Sequence, residues 1–186
     1  MAIKIYIDQG HNPQSPNAGA EGNGLREQDI VFRIGVETKR LLDNNPDFEA
    51  RLSRPTPETQ LGTSNASSLR ARVDDANSFG ADLFLSLHCN ASVDPSASGS
   101  EALVFSRSGV SYEIATVILQ ALTEATGLRN RGVLIRPGLY VLRRTAMPAV
   151  LLELGFITNA ADAALLRDNP RLFAQGIYNG ILRYYG

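Results

Sequence analysis

An α/β fold with a largely parallel or mixed sheet is what the sequence predicts, and three observations carry this. Short apolar runs bounded by turn residues alternate along the chain with amphipathic stretches of helical spacing. The 186 residues suffice for one domain with its own core, expected to span 1–186. No internal repeat, low-complexity tail or linker breaks the alternation.

The elements follow in order. Ile3, Ile5 and Ile7 alternate in IKIYID, the signature of a strand from Ile3 to Asp8. The next stretch, QGHNPQSPNAGAEGNG, is rich in Gly, Pro and Asn and reads as a loop. Ile30, Val31, Ile34, Leu41 and Leu42 then recur near helical spacing. They predict a helix from about Arg26 to Asp43, ended by Asn44-Asn45-Pro46. FEARLSR reads as a second strand, and the polar Arg54–Ser68 stretch as a surface loop. ASSLRARVDDANSFG fits a helix capped by a Ser and closed at Gly80. ADLFLSLH is a dense apolar run with a polar end, expected of a strand buried on both faces. EALVFS is a further strand nearer an edge, and Val110–Thr126 a long helix stopped at Gly127. LYVLRR and AVLLELGF are expected to form two short strands around the loop Thr145–Pro148. Asn159 is placed to cap AADAALL, with Asp162 at the third helical position, and Asn169-Pro170 to open a closing helix.

Composition removes several function classes. Eighteen Lys+Arg against 19 Asp+Glu leave a net charge of −1, so there is no global basic footprint for nucleic acid. Aromatic residues make up 7%, and no run mixes Arg with Tyr or Phe as a base-stacking platform would. The longest apolar runs, such as AVLLELGFI, contain a carboxylate and fall far short of the roughly 20 residues of a membrane span. MAIKIYIDQGH shows no basic segment followed by a long apolar one, so no signal peptide is expected. The single Cys, Cys89, excludes an internal disulfide and a Cys-based zinc knuckle.

The chain has only two His residues, and both follow predicted strands: His11 lies just past the first, and His88 ends ADLFLSLH. Ligands of open α/β sheets bind outside the carboxyl ends of the strands. Two imidazoles delivered there suit a zinc ion, although each alone could simply cap its strand. A hydrolytic zinc site takes three protein ligands, and Glu27, opening the first helix after the Gly-rich loop, is the best third. Gly22 and Gly24 allow that loop to fold back. Glu21 and Asp29 are rivals, and a carboxylate at a helix start also complements the helix dipole. Glu153 stands among Leu151, Leu152, Leu154 and Phe156, where an ionised carboxylate is costly. Desolvation would raise its pKa toward the range of a proton carrier; the plainer role is an ion pair with Arg143 or Arg144. Asp8 is either a group that orients an imidazole or the end of a strand. Asn90 and Arg143 are candidate substrate-binding residues. Cys89 points away from His88 on the strand and reads as a small buried hydrophobe.

These positions carry a resemblance. IYIDQGH, GLREQDI, FLSLHCNAS, NRGV and LYVLRRTAMPAVLLELGFITN occur in the order of the zinc-dependent N-acetylmuramoyl-L-alanine amidases of the type 3 group, and the likeness covers essentially the whole chain. The ID-x-GH element alone is weakly specific; SLH-x-NA together with PAVLLELGFITN is strongly so. The resemblance implies a twisted, mostly parallel sheet of about six strands with helices on both faces, a three-layer sandwich. It also implies one zinc ion held by His11, Glu27 and His88, with Glu153 as the catalytic carboxylate. The implied reaction is hydrolysis of the amide between N-acetylmuramic acid and L-alanine in peptidoglycan, at the cell wall or outside the cell. Where the family has D-P-G-H-G, this chain has Asp8-Gln9-Gly10-His11-Asn12. Asn12 is therefore expected to take the positive-φ turn, while Gln9 gives up the rigidity of Pro. No segment in Arg54–Ser68 or Val93–Ser100 reads as an occluding helix, so an open groove is expected. The competing readings are a zinc carboxypeptidase-like metallopeptidase and a non-catalytic domain that binds peptidoglycan or regulates a partner.

Overall fold

The computed structural model describes residues 2–186. Six strands form the central sheet: β1 (Ile3–Gln9), β4 (Phe48–Leu52), β5 (Leu83–Asn90), β6 (Ser100–Val104), β7 (Asn130–Ile135) and β8 (Ala149–Phe156). A two-stranded hairpin, β2 (Glu21–Gly22) and β3 (Leu25–Arg26), stands apart from it. The helices are α1 (Glu27–Asp43), α2 (Asn65–Phe79), α3 (Val110–Thr126), α4 (Tyr140–Arg144), α5 (Ala160–Asp168) and α6 (Pro170–Tyr185). The sheet order is β4-β1-β5-β8-β6-β7. Every neighbouring pair is parallel except β6 with β8, so the expected mixed, mostly parallel sheet of six strands is what forms.

Side-chain alternation sorts the strands onto two faces. Ile5, Ile7, Leu83, Leu85, Leu87, Val150, Leu152 and Leu154 face a core shared with α1, α3 and α6. Tyr6, Phe84, Leu103 and Leu151 face a smaller cluster that α2 and α4 complete. Toward the carboxyl ends of the parallel strands, the second face exchanges apolar for polar side chains. Asp8 follows Tyr6, Ser86 and His88 follow Phe84, and Glu153 follows Leu151. This row is the floor of the site.

Local chemistry closes the helices. Ser64 and Ser67 form a reciprocal capping box on α2, and Gly80 ends it at φ 65. Asn159 caps α5 through the amides of Ala161 and Asp162. Asp162 does not reach back to the cap. Its buried carboxylate accepts the Gly99 and Phe156 amides and the Ser98 hydroxyl, tying the start of β6 to the end of β8.

Three expectations need correction. LYVLRR is a short helix, not a strand: Val141 and Leu142 turn their side chains into the cluster under α2, and Arg143 N–H bonds to the Leu139 carbonyl four residues back, as in a helical turn. The missing strand is β7, whose polar start and Gly132 at φ 90 hide the alternation. The surface loop expected over Arg54–Ser68 ends at Ser64, since Asn65–Ser68 open α2, and both Arg54 and Ser68 are fully buried.

Candidate metal centre

The β1 strand delivers the chain to Gly10 and His11. A Cβ on Gly10 would lie 2.5 Å from the His88 ring and 2.7 Å from the Leu87 carbonyl, so only glycine lets the two strand ends approach. The positive φ of this turn falls on His11, at 66°, and not on Asn12 as expected. Asn12 is instead held by its side chain, which donates to the Pro16 and Leu61 carbonyls and accepts the Leu61 amide. Gln9 replaces the rigidity of Pro by hydrogen bonds. Its amide oxygen accepts the Arg54 N–H at 2.9 Å, and its backbone N–H reaches the Ser53 hydroxyl at 3.0 Å.

Asn23 and Gly24, both at positive φ, turn the β2–β3 hairpin so that the loop folds back as expected and α1 begins on Glu27. Asn23 anchors the turn to the Ile157 carbonyl at 2.9 Å. The Glu27 carboxylate is buried and doubly held: Oε2 accepts the Ala20 N–H and Oε1 the Cys89 N–H, each at 2.9 Å. Oε1 also lies 3.1 Å from His11 Nε2 and 3.0 Å from His88 Nδ1, and those two nitrogens are 3.1 Å apart. Among the described residues His11, Glu27 and His88 are the group of donors that could hold one ion. The donor set fits zinc, because ligand bonds of about 2.0–2.1 Å in a tetrahedron place ligand atoms about 3.3 Å apart. Both imidazoles are about one-fifth exposed, so the centre opens to solvent, as the expected open groove requires. The rivals Glu21 and Asp29 are both exposed and pair with Arg26 instead.

Electrostatics follow from these contacts. Burial opposes ionisation of Glu27, but hydrogen bonds from His11 and His88 outweigh it and hold the carboxyl well below the usual range. Burial likewise opposes a charged His88, and the Glu27 hydrogen bond and charge raise its pKa regardless. The Cys89 side chain takes no part, and burial pushes its thiol far up.

Glu153 pairs across the sheet with His88 on one side and Glu101 on the other. It forms no ion pair with Arg143 or Arg144, and its Oε2 is buried with no hydrogen-bond partner in the protein. Burial, opposed by His88 and reinforced by Glu27 and Glu101, raises its pKa to about 7. Asn90 spends its side chain locally, donating to Glu101 at 2.9 Å and accepting the Ala91 N–H. Arg131 holds the other Glu101 oxygen at 3.0 Å and stacks over Phe156. Arg143 is exposed on α4 and does not line the cavity of about 130 Å³ beside the imidazoles, whose apolar wall includes Leu69, Leu139, Val141 and Leu151. Asp8 makes no bond to an imidazole; it pairs with Arg72 at 2.5 Å and accepts the Ser86 hydroxyl. Glu101, Arg131, Arg72 and Arg54 were missed in the sequence. For Glu101 the signal was there: like Glu153, it is a carboxylate inside an apolar strand.

Known proteins resemble the chain in sequence and fold. The sequence pattern of the N-acetylmuramoyl-L-alanine amidase family matches residues 5–183. N-acetylmuramoyl-L-alanine amidase LytC of Bacillus subtilis (strain 168) is 36% identical over 185 residues, covering 97% of this chain and 35% of that protein. CwlM of Bacillus licheniformis is 33% identical over 98% of this chain and 69% of its own length. The chain thus spans about a third of LytC. The catalytic domain of CwlV, an N-acetylmuramoyl-L-alanine amidase from Bacillus (Paenibacillus) polymyxa var. colistinus, superposes with a TM-score of 0.86 at 32% identity, covering 98% and 97% of the two chains. An N-acetylmuramoyl-L-alanine amidase from Clostridium difficile 630 gives 0.88 at 28% identity, covering 98% and 96%. With its sequence matched almost end to end, the chain belongs to the N-acetylmuramoyl-L-alanine amidase family.

Proposed function

We propose that residues 1–186 act as one catalytic domain that hydrolyses the amide between N-acetylmuramic acid and L-alanine in peptidoglycan, using one zinc ion. The observation that carries this reading is the meeting of His11 Nε2, His88 Nδ1 and Glu27 Oε1 within 3.1 Å of one another, beside the unpaired carboxylate of Glu153. A zinc ion held by these three residues would supply Lewis-acid polarisation of the scissile carbonyl and activation of water. Glu27, kept ionised by its hydrogen bonds, gives the site a fixed negative charge. Glu153, with a proton affinity near neutrality, takes a proton from the attacking water and returns it to the departing nitrogen of alanine. The names of the relatives, cell-wall amidases and an endolysin, support action at the cell wall.

The experiment is digestion of purified cell walls, with and without a chelator, followed by product analysis. Free lactyl carboxylates on the glycan together with new N-terminal alanine, lost with chelator and restored by zinc, are the expected result. Release of C-terminal residues would mean a metallopeptidase, and binding without cleavage a non-catalytic domain; either would overturn the assignment.

A further inference from the structure

Below the two imidazoles, two fully buried guanidinium groups converge on one carbonyl oxygen. Arg72, on α2, and Arg54, just past β4, both donate to the backbone oxygen of His11. Arg72 does more. Its Nη1 also donates to the Gln9 carbonyl at 2.7 Å and to Asp8 Oδ1 at 2.5 Å, and lies 3.3 Å from Ser53 Oγ. The far oxygen of Asp8 accepts the Ser86 hydroxyl at 2.7 Å. The fork of one arginine thus pins the carbonyls on either side of Gly10, at the point where β1 ends and His11 begins.

His11 needs such a clamp. Its φ of 66° is a backbone region that residues with a Cβ seldom occupy. Such conformations persist only where the surroundings over-determine them. In this one the imidazole turns toward Glu27 and His88. An arginine facing a cation site would ordinarily repel the ion, and Asp8, buried against the same guanidinium, offsets that charge.

We propose that Arg72, neutralised by Asp8, is a positioning residue that fixes His11 in its left-handed conformation and so preforms the metal centre. The proposal rests on the zinc reading given above. Its chemistry is that of an outer partner, whose loss typically weakens metal binding by about 10- to 100-fold.

The test is zinc titration against a competing chelator, run alongside thermal melts of the metal-free proteins. Arg72→Lys keeps the charge but loses the planar fork, and should bind zinc about 10- to 100-fold more weakly. Ile177→Val, in the core on the other face of the sheet, lowers the melting temperature and should leave zinc affinity unchanged, which separates positioning from stability. Wild-type affinity in a folded Arg72→Lys variant overturns the proposal. Should that variant fail to fold, Ser86→Ala decides, since it removes only the hydroxyl that orients Asp8. A measurable loss of zinc affinity supports the clamp, and none overturns it. A wild-type protein that takes up no zinc sinks the metal reading itself, a result distinct from either.

Discussion

Replacing Glu153 by Gln should remove the metal-free protein's loss of stability between pH 4.5 and 7 while sharply reducing turnover. In the fold this carboxyl has a pKa of about 7, against 4.5 when freely exposed. The folded state therefore holds the proton more tightly than the unfolded chain does, and linkage makes stability fall as the pH rises between those values. At about 1.4 kcal/mol per pH unit, the gap amounts to about 3 kcal/mol of destabilisation, absent below pH 4.5 and complete above pH 7. Gln cannot ionise, so its variant carries no such slope. A buried amide without a partner costs about 1–3 kcal/mol at every pH, so the decisive quantity is the change with pH and not the absolute difference. Urea midpoints of both proteins, measured in chelator from pH 4.5 to 8, should show the wild type losing about 3 kcal/mol relative to the variant. Turnover of the zinc-loaded variant should drop about 10²- to 10⁴-fold, or about 3–5 kcal/mol of barrier, with zinc still bound. Parallel stability curves would show Glu153 to be solvated or ion-paired, and retained wall lysis would remove it from the reaction.

Other perturbations give separable outcomes. Glu27→Gln places an NH₂ group against a backbone N–H, Ala20 or Cys89, that the carboxylate now accepts. It should cost about 1–3 kcal/mol in a thermal melt and lose zinc in a titration. Asp8 is held ionised below its ordinary value of 3.8, against its burial, by Arg72. Its stabilisation is thus present above that pH and is lost as the pH falls through the lower folded value. Acid titration followed by circular dichroism should show this limb in the wild type and its absence in Asp8→Asn, which at pH 7 is less stable by about 3–5 kcal/mol. A Cβ at Gly180 would lie 2.5 Å from the Ile118 Cα, so Gly180→Ala must push α6 off α3. Calorimetry should register a loss of about 1–3 kcal/mol, with kcat unchanged because this contact lies on the far side of the sheet from the site.

The sequence by itself determined much of this protein. Alternation in IKIYID and the dense apolar runs of ADLFLSLH and AVLLELGF suffice for the buried strands, because a strand covered on both faces is mostly apolar. Gly80 and Gly127 mark helix ends that a left-handed residue closes. Two His residues at strand ends marked the candidate site, and so did a carboxylate inside an apolar run, a group expensive to bury without a purpose. Tertiary structure decided the rest. Whether LYVLRR coils or extends depends on the surface it packs against, and β7 is a strand only because β6 offers it an edge. Arg72 looks like an ordinary charged residue of an amphipathic helix until the fold sets it against Asp8. The left-handed turn at His11 is the clearest case: local preference puts it on Asn12, whereas in the fold it falls on His11, whose carbonyl accepts from two arginines of distant segments. Local propensities differ by about 1 kcal/mol or less, whereas leaving a buried charged group without its partner costs about 3–5, so where the two conflict the distant contact prevails.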